Sequence, residues 1–509
     1  MMAPPLAPPN SLRSVVIIGG GTAGWMAASV LSKAFGRALQ ITLIESEEIG
    51  IVGVGEATIP QIRHINNFLE IDENAFLKAT QGTFKLGIEF NNWGRLGDSY
   101  MHAFGDIGMA LGLTPFHHYW LRANAGGGGG SLWDYSVNCQ IAIRDRFAIM
   151  ERVGASRLSG TRHAFHFDAA LYAKFLRGRA EAAGVVRVEG KIVDVRRRGH
   201  DGFIEGVTLE GDRRVDGEFF IDCSGFRGLL IEGALQAGYE DWTHWLPCDR
   251  AVAAPCAHGQ SIRPYTQATA RQSGWQWRIP LQHRVGNGHV YCSRFISDDE
   301  AADVLKANLE GELLAEPRFL RFTTGMRKRQ WMKNCVSLGL ASGFLEPLES
   351  TSIHLIQSGV SRLVSMFPDR HFDPALIDEF NRQSRFEFER IRDFIILHYH
   401  ANERTDAPFW IERREMDVPE ALQGKLDLFR ASGRIYREHE ELFTEPGWLQ
   451  VLIGQHVMPK HYHPLADQLG ENQLGEFMAN IKTLIERAAS TAPAHEAYIR
   501  ANCAATGRE

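Results

Sequence analysis

The chain has 509 residues, of which 44% are hydrophobic and 23% are charged, and its formal net charge is −6. This size allows a large core and more than one domain, and the mild negative charge gives no basic surface that would favour nucleic acid. No apolar run reaches the roughly 18 residues of a membrane-spanning helix. Residues 1–13 are proline-rich and lack the apolar segment of a signal peptide, so we expect a flexible N-terminus.

The first patterned segment predicts a strand–helix–strand unit. Residues 15–18 form a continuous apolar run, residues 25–35 have a helical pattern, and residues 39–44 alternate between apolar and polar positions. Glu45 follows the second strand about 20 residues after the glycine-rich loop, where an acid accepts a hydrogen bond from a ribose hydroxyl.

The loop inside this unit reads Gly-Gly-Gly-Thr-Ala-Gly over residues 19–24. Its G-x-G-x-x-G spacing suits a dinucleotide, because the glycines permit a tight turn, a close approach of the backbone to a pyrophosphate and tight packing of helix on strand. The free N–H groups at the helix start then face the diphosphate. The pattern predicts a dinucleotide site and leaves FAD and NAD open. The residues assigned to this site are Gly19, Gly21, Thr22, Ala23 and Gly24.

A later segment, residues 217–228, favours FAD over NAD. An apolar strand there ends in Asp222 and is followed by a glycine-containing turn. FAD enzymes carry a similar late strand whose turn approaches the cofactor, and this assigns Asp222 to the cofactor site. An ordinary strand and turn of the sheet is the alternative.

Gly274–Pro280 reads Gly-Trp-Gln-Trp-Arg-Ile-Pro. Trp275, Trp277 and Ile279 are spaced by two, so they fall on one face of a strand. Pro280 has no N–H for the ladder and should end the pairing. Taken by itself, the pattern predicts a cross-strand aromatic cluster in a core.

Lys85 stands among apolar and aromatic neighbours in residues 82–90. Burial lowers the pKa of a lysine and makes its amine reactive. A surface lysine on an alternating strand is the alternative.

Residues 339–353 form a glycine-rich loop that leads into a helix, which we expect to begin at Ser350. The free N–H groups of such a helix start suit an anion. A capped helix start without a ligand is the alternative.

From about residue 360 the pattern turns helical. Asp373-Pro374 is typical of an N-cap followed by proline at the first helical position. The seven cysteines form no C-x-x-C pair, which predicts free, mostly buried thiols, no metal site and a cytoplasmic protein.

Together, these motifs resemble those of the flavin-dependent halogenases, in the branch that acts on tryptophan and other indoles. The W-x-W-x-I-P pattern of Gly274–Pro280 is the most specific of them. The resemblance implies an α/β fold, in which residues 14–360 form a Rossmann-like FAD-binding module of the flavin-hydroxylase type with a mixed sheet and inserted substrate-site segments. Residues 361–509 would form a mainly helical subdomain that covers the active site.

The same resemblance implies roles for individual residues. Lys85 and Glu349 would be catalytic. The N–H groups of Thr351 and Ser352 would bind the halide, although the family usually has glycine at the position of Ser352. The other matching positions are the strap residues Gly55, Glu56 and Ala57 within residues 53–60, Leu340 and Ile353 against the flavin, His102 and Phe104 around an indole ring, and Trp275 and Trp277 as a tryptophan wall at the flavin site.

The implied chemistry is halogenation of a small indole-type aromatic. Reduced FAD, supplied by a separate reductase, reacts with O2 and bromide or chloride to give hypohalous acid, and Lys85 passes the halogen to the ring. The tryptophan wall would keep the substrate away from the flavin. A flavin-dependent aromatic hydroxylase (a monooxygenase) and a flavoprotein with a lapsed active site are the alternatives. We expect no nucleic-acid or membrane partner, and a homodimer is the candidate assembly.

Overall fold

Two large β-sheets organise the computed structural model of the chain, which describes residues 10–48 and 55–505. Strands and helices are mixed as far as Ser365, and the described residues after it form helices and loops. The strands are β1 (Ser14–Ile18), β2 (Gln40–Glu45), β3 (Gly55–Ala57), β4 (Thr83–Lys85), β5 (Gly87–Asn91), β6 (Ser99–Ala103), β7 (Ala164–Asp168), β8 (Val186–Glu189), β9 (Ile192–Arg197), β10 (Ile204–Leu209), β11 (Arg214–Asp216), β12 (Phe219–Asp222), β13 (Tyr239–Asp241), β14 (Arg250–Cys256), β15 (Thr266–Arg271), β16 (Gly274–Pro280), β17 (Val285–Tyr291), β18 (Arg318–Arg321), β19 (Gly325–Arg327), β20 (Trp331–Met332), β21 (Cys335–Ser337) and β22 (Gly343–Phe344). The α-helices are α1 (Thr22–Phe35), α2 (Ile62–Phe68), α3 (Glu73–Thr80), α4 (Phe116–Ala125), α5 (Val137–Ala142), α6 (Ala169–Ala182), α7 (Asp298–Ala307), α8 (Ser352–Ser365), α9 (Pro374–His400), α10 (Pro408–Glu415), α11 (Glu420–Ser432), α12 (Glu445–Gly454), α13 (Glu471–Thr491) and α14 (His495–Asn502).

The first sheet has six strands in the order β20-β21-β12-β1-β2-β8 and holds the glycine-rich loop. β1 runs parallel to β2 on one side and to β12 on the other, with Val15 opposite both Ile41 and Phe219. All three side chains are buried, as expected for a parallel sheet covered on both faces. The predicted strand–helix–strand unit is confirmed, although α1 already begins at Thr22 and β2 runs over Gln40–Glu45.

The second sheet has seven strands in the order β18-β14-β17-β16-β15-β5-β6. β16 pairs antiparallel with β15 and β17, and all 7 of its residues are buried. Pro280 opposes Val285 in the last pair, so the strand ends where the sequence predicts. β15 pairs parallel with β5, and this makes the sheet mixed, as expected.

A three-stranded sheet joins two segments that are distant in sequence. β7 lies between β3 and β4, with Phe167 opposite Glu56 and Ala164 opposite Lys85. β3 belongs to the strap, whose Gly53 lies outside the described residues, as do the other strap positions before residue 55. One strand therefore holds the strap and the lysine segment side by side.

The C-terminal region is helical, as predicted. Asp373 caps α9, since its Oδ1 accepts a hydrogen bond of 2.8 Å from the N–H of Ala375, and Pro374 is the first helical residue. Within residues 10–48 and 55–505 no helix is long and apolar enough to cross a bilayer. All seven cysteines are unpaired, and only Cys223 is not fully buried. In the same residues no three His, Cys, Asp or Glu side chains are grouped to hold a metal ion.

Candidate active site

Lys85 is the last residue of β4 and is completely buried, so the surface-lysine alternative is wrong. Phe84 and Leu86 on either side are buried as well, and the Nζ atom lies 5.4 Å from the centre of the Phe104 ring. Burial lowers the pKa of Lys85 to about 7, and the nearby charge of Glu349 opposes that fall. Near neutral pH a substantial fraction of this side chain is therefore a neutral, nucleophilic amine.

Lys85 reaches the turn that precedes α8. Its Nζ donates a hydrogen bond of 2.7 Å to the Oγ of Ser350. Ser350 has a φ of 58° and follows the 3₁₀ turn Pro347–Glu349. The expected helix start at Ser350 is therefore wrong: α8 begins at Ser352, because a left-handed residue cannot continue a right-handed helix.

Thr351 and Ser352, the predicted halide-binding residues, form the N-terminal end of α8. Thr351 is the N-cap and Ser352 is the first helical residue, so their N–H groups have no partner within the helix. The helix dipole favours an anion at this position. Ser352 has a helical backbone, so its side chain adds no strain where the family usually has glycine. Thr351 is buried, and its Oγ1 finds no hydrogen-bond partner among the described residues.

Glu349 is buried between two histidines. Both of its carboxylate oxygens lie 2.9 Å from Nδ1 of His102, and Oε1 lies 2.8 Å from Nε2 of His398. Burial acts to raise the pKa of Glu349, but the charge and hydrogen bond of His102, together with the nearby His398, lower it to about 2. The group is therefore a carboxylate at neutral pH, next to the turn that Lys85 contacts.

Aromatic rings surround His102. Its ring centre lies 5.7 Å from that of Phe394 and 6.3 Å from that of Phe443, and these two phenylalanines stack on each other at 3.8 Å. Trp448 packs edge-on against Phe394 at 4.9 Å. His102 therefore has an ionic partner as well as aromatic neighbours. We call His102, Phe394, Phe443 and Trp448 the aromatic cluster.

A buried acid anchors the tryptophan wall. The ring centres of Trp275 and Trp277 are 6.1 Å apart. Trp275 Nε1 donates to Glu346 Oε2 over 2.9 Å, and the hydroxyl of Tyr399 donates to the same oxygen over 2.5 Å. Burial raises the pKa of Glu346 to about 7, although both hydrogen bonds act to lower it. A side chain in place of Gly288 would clash with the Trp277 ring, so this ring requires glycine beneath it.

The glycine-rich loop shows the close approaches that its sequence predicts. A Cβ at Gly19, where φ is +106°, would clash with the carbonyl oxygen of Cys223, and a Cβ at Gly24 would clash with the carbonyl of Gly19. At Gly21, by contrast, nothing lies within 4 Å of the Cβ position, directly before Thr22 opens α1. Open space beside the free N–H groups of a helix start fits a pyrophosphate.

The two acids that the sequence assigns to the cofactor site make ion pairs or hydrogen bonds within the protein. Glu45 pairs with the guanidinium of Arg187. Asp222 Oδ2 accepts hydrogen bonds of 2.8 Å from the N–H groups of both Leu230 and Ile231. The Asp222 carboxylate therefore stabilises its own turn, whose backbone lies against the glycine-rich loop.

Residues 339–353 meet the glycine-rich loop at its helix. Gly339 has a φ of +62°, and a Cβ there would lie 2.9 Å from Cβ of Ala23. Leu340 follows and is half-buried, and Ile353 is buried in the first turn of α8. The two predicted flavin contacts thus lie on the segment that carries Glu349, beside the start of α1.

Gly55, Glu56 and Ala57 form β3, the described part of the strap. A Cβ at Gly55 would lie 3.4 Å from the side chain of Ile279, so the strap passes directly over the strand of the tryptophan wall. Burial raises the pKa of Glu56 to about 7. The strap is therefore in contact with β16 on one side and paired with β7 on the other.

Sequence reasoning missed His398 and the role of Glu346. His398 follows an apolar run in the last turn of α9 and is completely buried, and Glu346 stands before Pro347 in an apolar stretch. A titratable side chain inside such a run must find a polar partner when it is buried. That requirement is the signal that could have selected both residues.

Comparisons with known proteins place nearly the whole chain beside one family. Residues 14–471 match the family described as tryptophan halogenase. The chain is 37% identical to the tryptophan 7-halogenase RebH of Lentzea aerocolonigenes over 441 residues, which is 83% of this chain and 82% of that protein. A flavin-dependent halogenase of Xanthomonas campestris superposes with a TM-score of 0.95 at 48% identity, covering 98% of this chain and 100% of the other. BrvH, a flavin-dependent halogenase from Brevundimonas sp. BAL3, superposes with a TM-score of 0.93 at 44% identity, covering 96% and 99%.

The family match spans most of the chain, and the two superposed structures share the whole fold from the glycine-rich loop to the C-terminal helices. The chain therefore belongs to the tryptophan halogenase family and is a flavin-dependent halogenase.

Proposed function

We propose that this enzyme makes hypohalous acid from reduced FAD, O2 and bromide or chloride, and that Lys85 transfers the halogen to an indole-type ring. Membership of the family implies FAD, a halide, an aromatic substrate and a flavin reductase. The roles of individual residues rest on one observation above all. Lys85 is fully buried beside the Glu349 carboxylate, with its pKa lowered to about 7.

The reaction balances in two stages. FADH2, O2, X− and H+ give FAD, HOX and H2O, and HOX with the aromatic ArH then gives ArX and H2O. Bound reduced FAD supplies the electrons of the first stage. The start of α1 beside Gly21 would hold its pyrophosphate, and the start of α8 at Thr351 and Ser352 would hold the halide.

Lys85 carries the halogen in the second stage. Its neutral amine attacks the halogen of HOX, which forms an N–X bond and releases water. The ring then takes the halogen, and the ring proton ends on the lysine nitrogen. The lysine returns to its starting state.

Glu349 acts through its charge. With a pKa lowered to about 2, it is a weak proton acceptor at neutral pH. An ionised carboxylate in a buried site stabilises the positive charge that develops on the ring when the halogen is added. We therefore assign Glu349 to electrostatic stabilisation.

The tryptophan wall would keep the aromatic substrate on the Lys85 side. Trp275 is fixed by Glu346, and the strap crosses the same strand at Gly55. A substrate held away from the flavin meets hypohalous acid at the lysine, which favours halogenation over direct hydroxylation. Residues 14–360 would then form the FAD module, and α9 supports a covering role for residues 361–509 because it brings His398 to Glu349.

The substrate site favours a neutral aromatic. The aromatic cluster offers ring surfaces, and the buried carboxylates around it already have partners: Glu349 has two histidines, and Glu441 has Lys425 at 2.9 Å. Residues 447–456 contain no acid. A substrate ammonium buried there without a counter-charge would lose several kcal/mol. We therefore propose indole, an indole without an amino-acid head, or a larger substrate that carries the indole.

A product assay tests the proposal. The enzyme is supplied with reduced FAD, O2, bromide and indole, and the products are identified by mass spectrometry. We expect bromoindole. Hydroxyindole would instead support the aromatic hydroxylase, and no product would support the lapsed flavoprotein.

The Lys85→Met variant tests the role of the lysine in the same assay. It should lose halogenation while FAD binding and flavin reoxidation persist. Lys482→Ala is the matched control, since Lys482 is a half-exposed lysine paired with Asp134 on the surface. Residual halogenation by Lys85→Met near the wild-type rate would remove Lys85 from the mechanism.

A further inference from the structure

His398 is the buried histidine of α9 that the sequence did not single out. Its side chain has no exposed surface, and its Nδ1 lies 2.8 Å from the backbone oxygen of Phe394, one helical turn earlier. A carbonyl oxygen only accepts hydrogen bonds, so Nδ1 must carry a hydrogen. The first hydrogen bond therefore fixes the tautomer and the orientation of the ring.

The other ring nitrogen faces Glu349. Nε2 lies 2.8 Å from Oε1 of Glu349, although the ring directs Nε2 too far away from that oxygen for a hydrogen bond. His102 approaches the same carboxylate at 2.9 Å from β6. The contact of His398 with Glu349 is therefore an ion pair by distance, in which a positively charged ring would balance the carboxylate.

We propose that His398 is a positioning residue for halogen transfer, which holds the Glu349 carboxylate ionised and oriented from the side of α9. This inference rests on the proposed role of Glu349 in stabilising the charged ring. His398 contacts the Glu349 carboxylate, and its effect on the substrate is assigned to that contact. Without it, His102 alone would hold the carboxylate, which would then rotate and take up a proton more readily.

The surroundings of His398 allow a clean test. Its ring centre lies 4.8 Å from that of Phe90 and 5.2 Å from that of Phe394, so a phenylalanine ring fits the same packing. His398→Phe removes the donor and keeps the aromatic contacts. His398→Gln restores a neutral donor in place of Nε2–H. His400→Phe is the matched control, since His400 lies two residues further along the same helix and is only half-buried.

The pairing itself is measured without cofactor or substrate. Protein labelled with 15N-histidine is examined by NMR at pH 7, and the His398 signals are assigned by their loss in His398→Phe. We expect both ring nitrogens to be protonated, and we expect Glu349→Gln to convert the ring to the neutral form with hydrogen on Nδ1. A neutral His398 in the wild-type protein would overturn the proposal, whether or not the protein is a halogenase.

The functional consequence is measured by kinetics. For His398→Phe we expect kcat for halogenation to fall roughly ten-fold or more, with KM unchanged and trapped hypohalous acid formed at the wild-type rate. His398→Gln should recover part of the loss, and His400→Phe should match the wild type. Normal kcat in a folded His398→Phe protein would overturn the positioning role and leave the proposed function intact. A failure of the wild-type protein to halogenate would overturn the proposed function, while the NMR result would still decide the pairing.

Discussion

The Nζ of Lys85 and the Oγ of Ser350 are joined by a hydrogen bond of 2.7 Å across 265 residues of sequence. This bond ties β4 to the turn between Glu349 and α8. This connection brings together the lysine, the segment that carries Glu349 and the start of α8. Ser350 has a left-handed backbone, which is less stable than the right-handed conformation by about 1–2 kcal/mol for a residue other than glycine.

The pH dependence of halogen transfer should follow the titration of Lys85. Because burial lowers its pKa to about 7, the ammonium predominates below that pH and the amine above it. The ammonium has no lone pair to attack hypohalous acid, so kcat should rise as pH increases through about 7. Lys85→Arg, which stays protonated, should be inactive across the range.

Glu56 and Glu346 titrate in the same range, since burial raises their pKa values to about 7. Glu56→Gln and Glu346→Gln variants should keep the rising limb if Lys85 causes it. Trapping hypohalous acid separates its formation from its transfer. A transfer rate that falls as pH rises through 7 would mean that Lys85 works as an ammonium hydrogen-bond donor.

The sequence predicted the strand–helix–strand unit and the end of β16 well because their signals are local. A G-x-G-x-x-G loop needs its strand and helix, and Pro280 must end a ladder, so neighbouring residues fix both outcomes. The site was harder to predict because its contacts are distant in sequence. No sequence pattern near Glu349 indicates its contact with His398 on α9. Likewise, no pattern near Trp275 indicates that Tyr399 donates to the same oxygen of Glu346.

The helix start at Ser350 shows a second limit of sequence reasoning. The glycine-rich pattern indicated a loop followed by a helix, and both exist. Ser350 has a left-handed backbone and accepts a hydrogen bond from Lys85, and tertiary contacts of this kind are invisible to local sequence preference. Helix α8 therefore begins at Ser352, two residues later than predicted.

The two residues of the tryptophan wall should differ in their effect on stability. Trp275→Phe removes one of the two donors to the buried Glu346 and should reduce the free energy of unfolding by about 1–3 kcal/mol. Trp277→Phe is the matched variant, because Nε1 of Trp277 is buried without a partner among the described residues. Trp277→Phe should reduce the free energy of unfolding by less than Trp275→Phe does, or even increase it.

Chemical denaturation of both variants by urea, followed by circular dichroism, gives the comparison. The assay of hypohalous acid should show that both variants still bind FAD. Equal losses for the two tryptophans would mean that Glu346 contributes nothing through its hydrogen bond to Trp275.

The enzyme should depend on an external source of reduced FAD. The sequence contains one G-x-G-x-x-G loop set in a strand–helix unit, at residues 19–24, and we found no second one for a nicotinamide cofactor. Purified protein with FAD and NADH should therefore consume NADH only when a flavin reductase is added. Rapid oxidation of NADH or NADPH without a reductase would contradict this expectation.

The substrate preference should follow the charge of the aromatic. The Nζ of Lys425 forms an ion pair with Oε1 of Glu441 at 2.9 Å. The same Nζ lies 5.2 Å from the ring centre of Trp448, a member of the aromatic cluster. A substrate ammonium would therefore find this acid already neutralised. We expect kcat/KM under one halide to be higher for indole than for tryptamine or tryptophan. A clear preference for tryptophan would defeat the proposal of a neutral aromatic substrate.

Lys425→Met tests the physical reason for that preference. It leaves Glu441 buried without its counter-charge, which should lower stability and also offer the carboxylate to a cationic substrate. We expect the ratio of kcat/KM for tryptamine to that for indole to rise in Lys425→Met. The rise should vanish in Lys425→Met combined with Glu441→Gln, where no charge remains to attract the ammonium. An unchanged ratio in a folded Lys425→Met protein would show that this ion pair has no part in specificity.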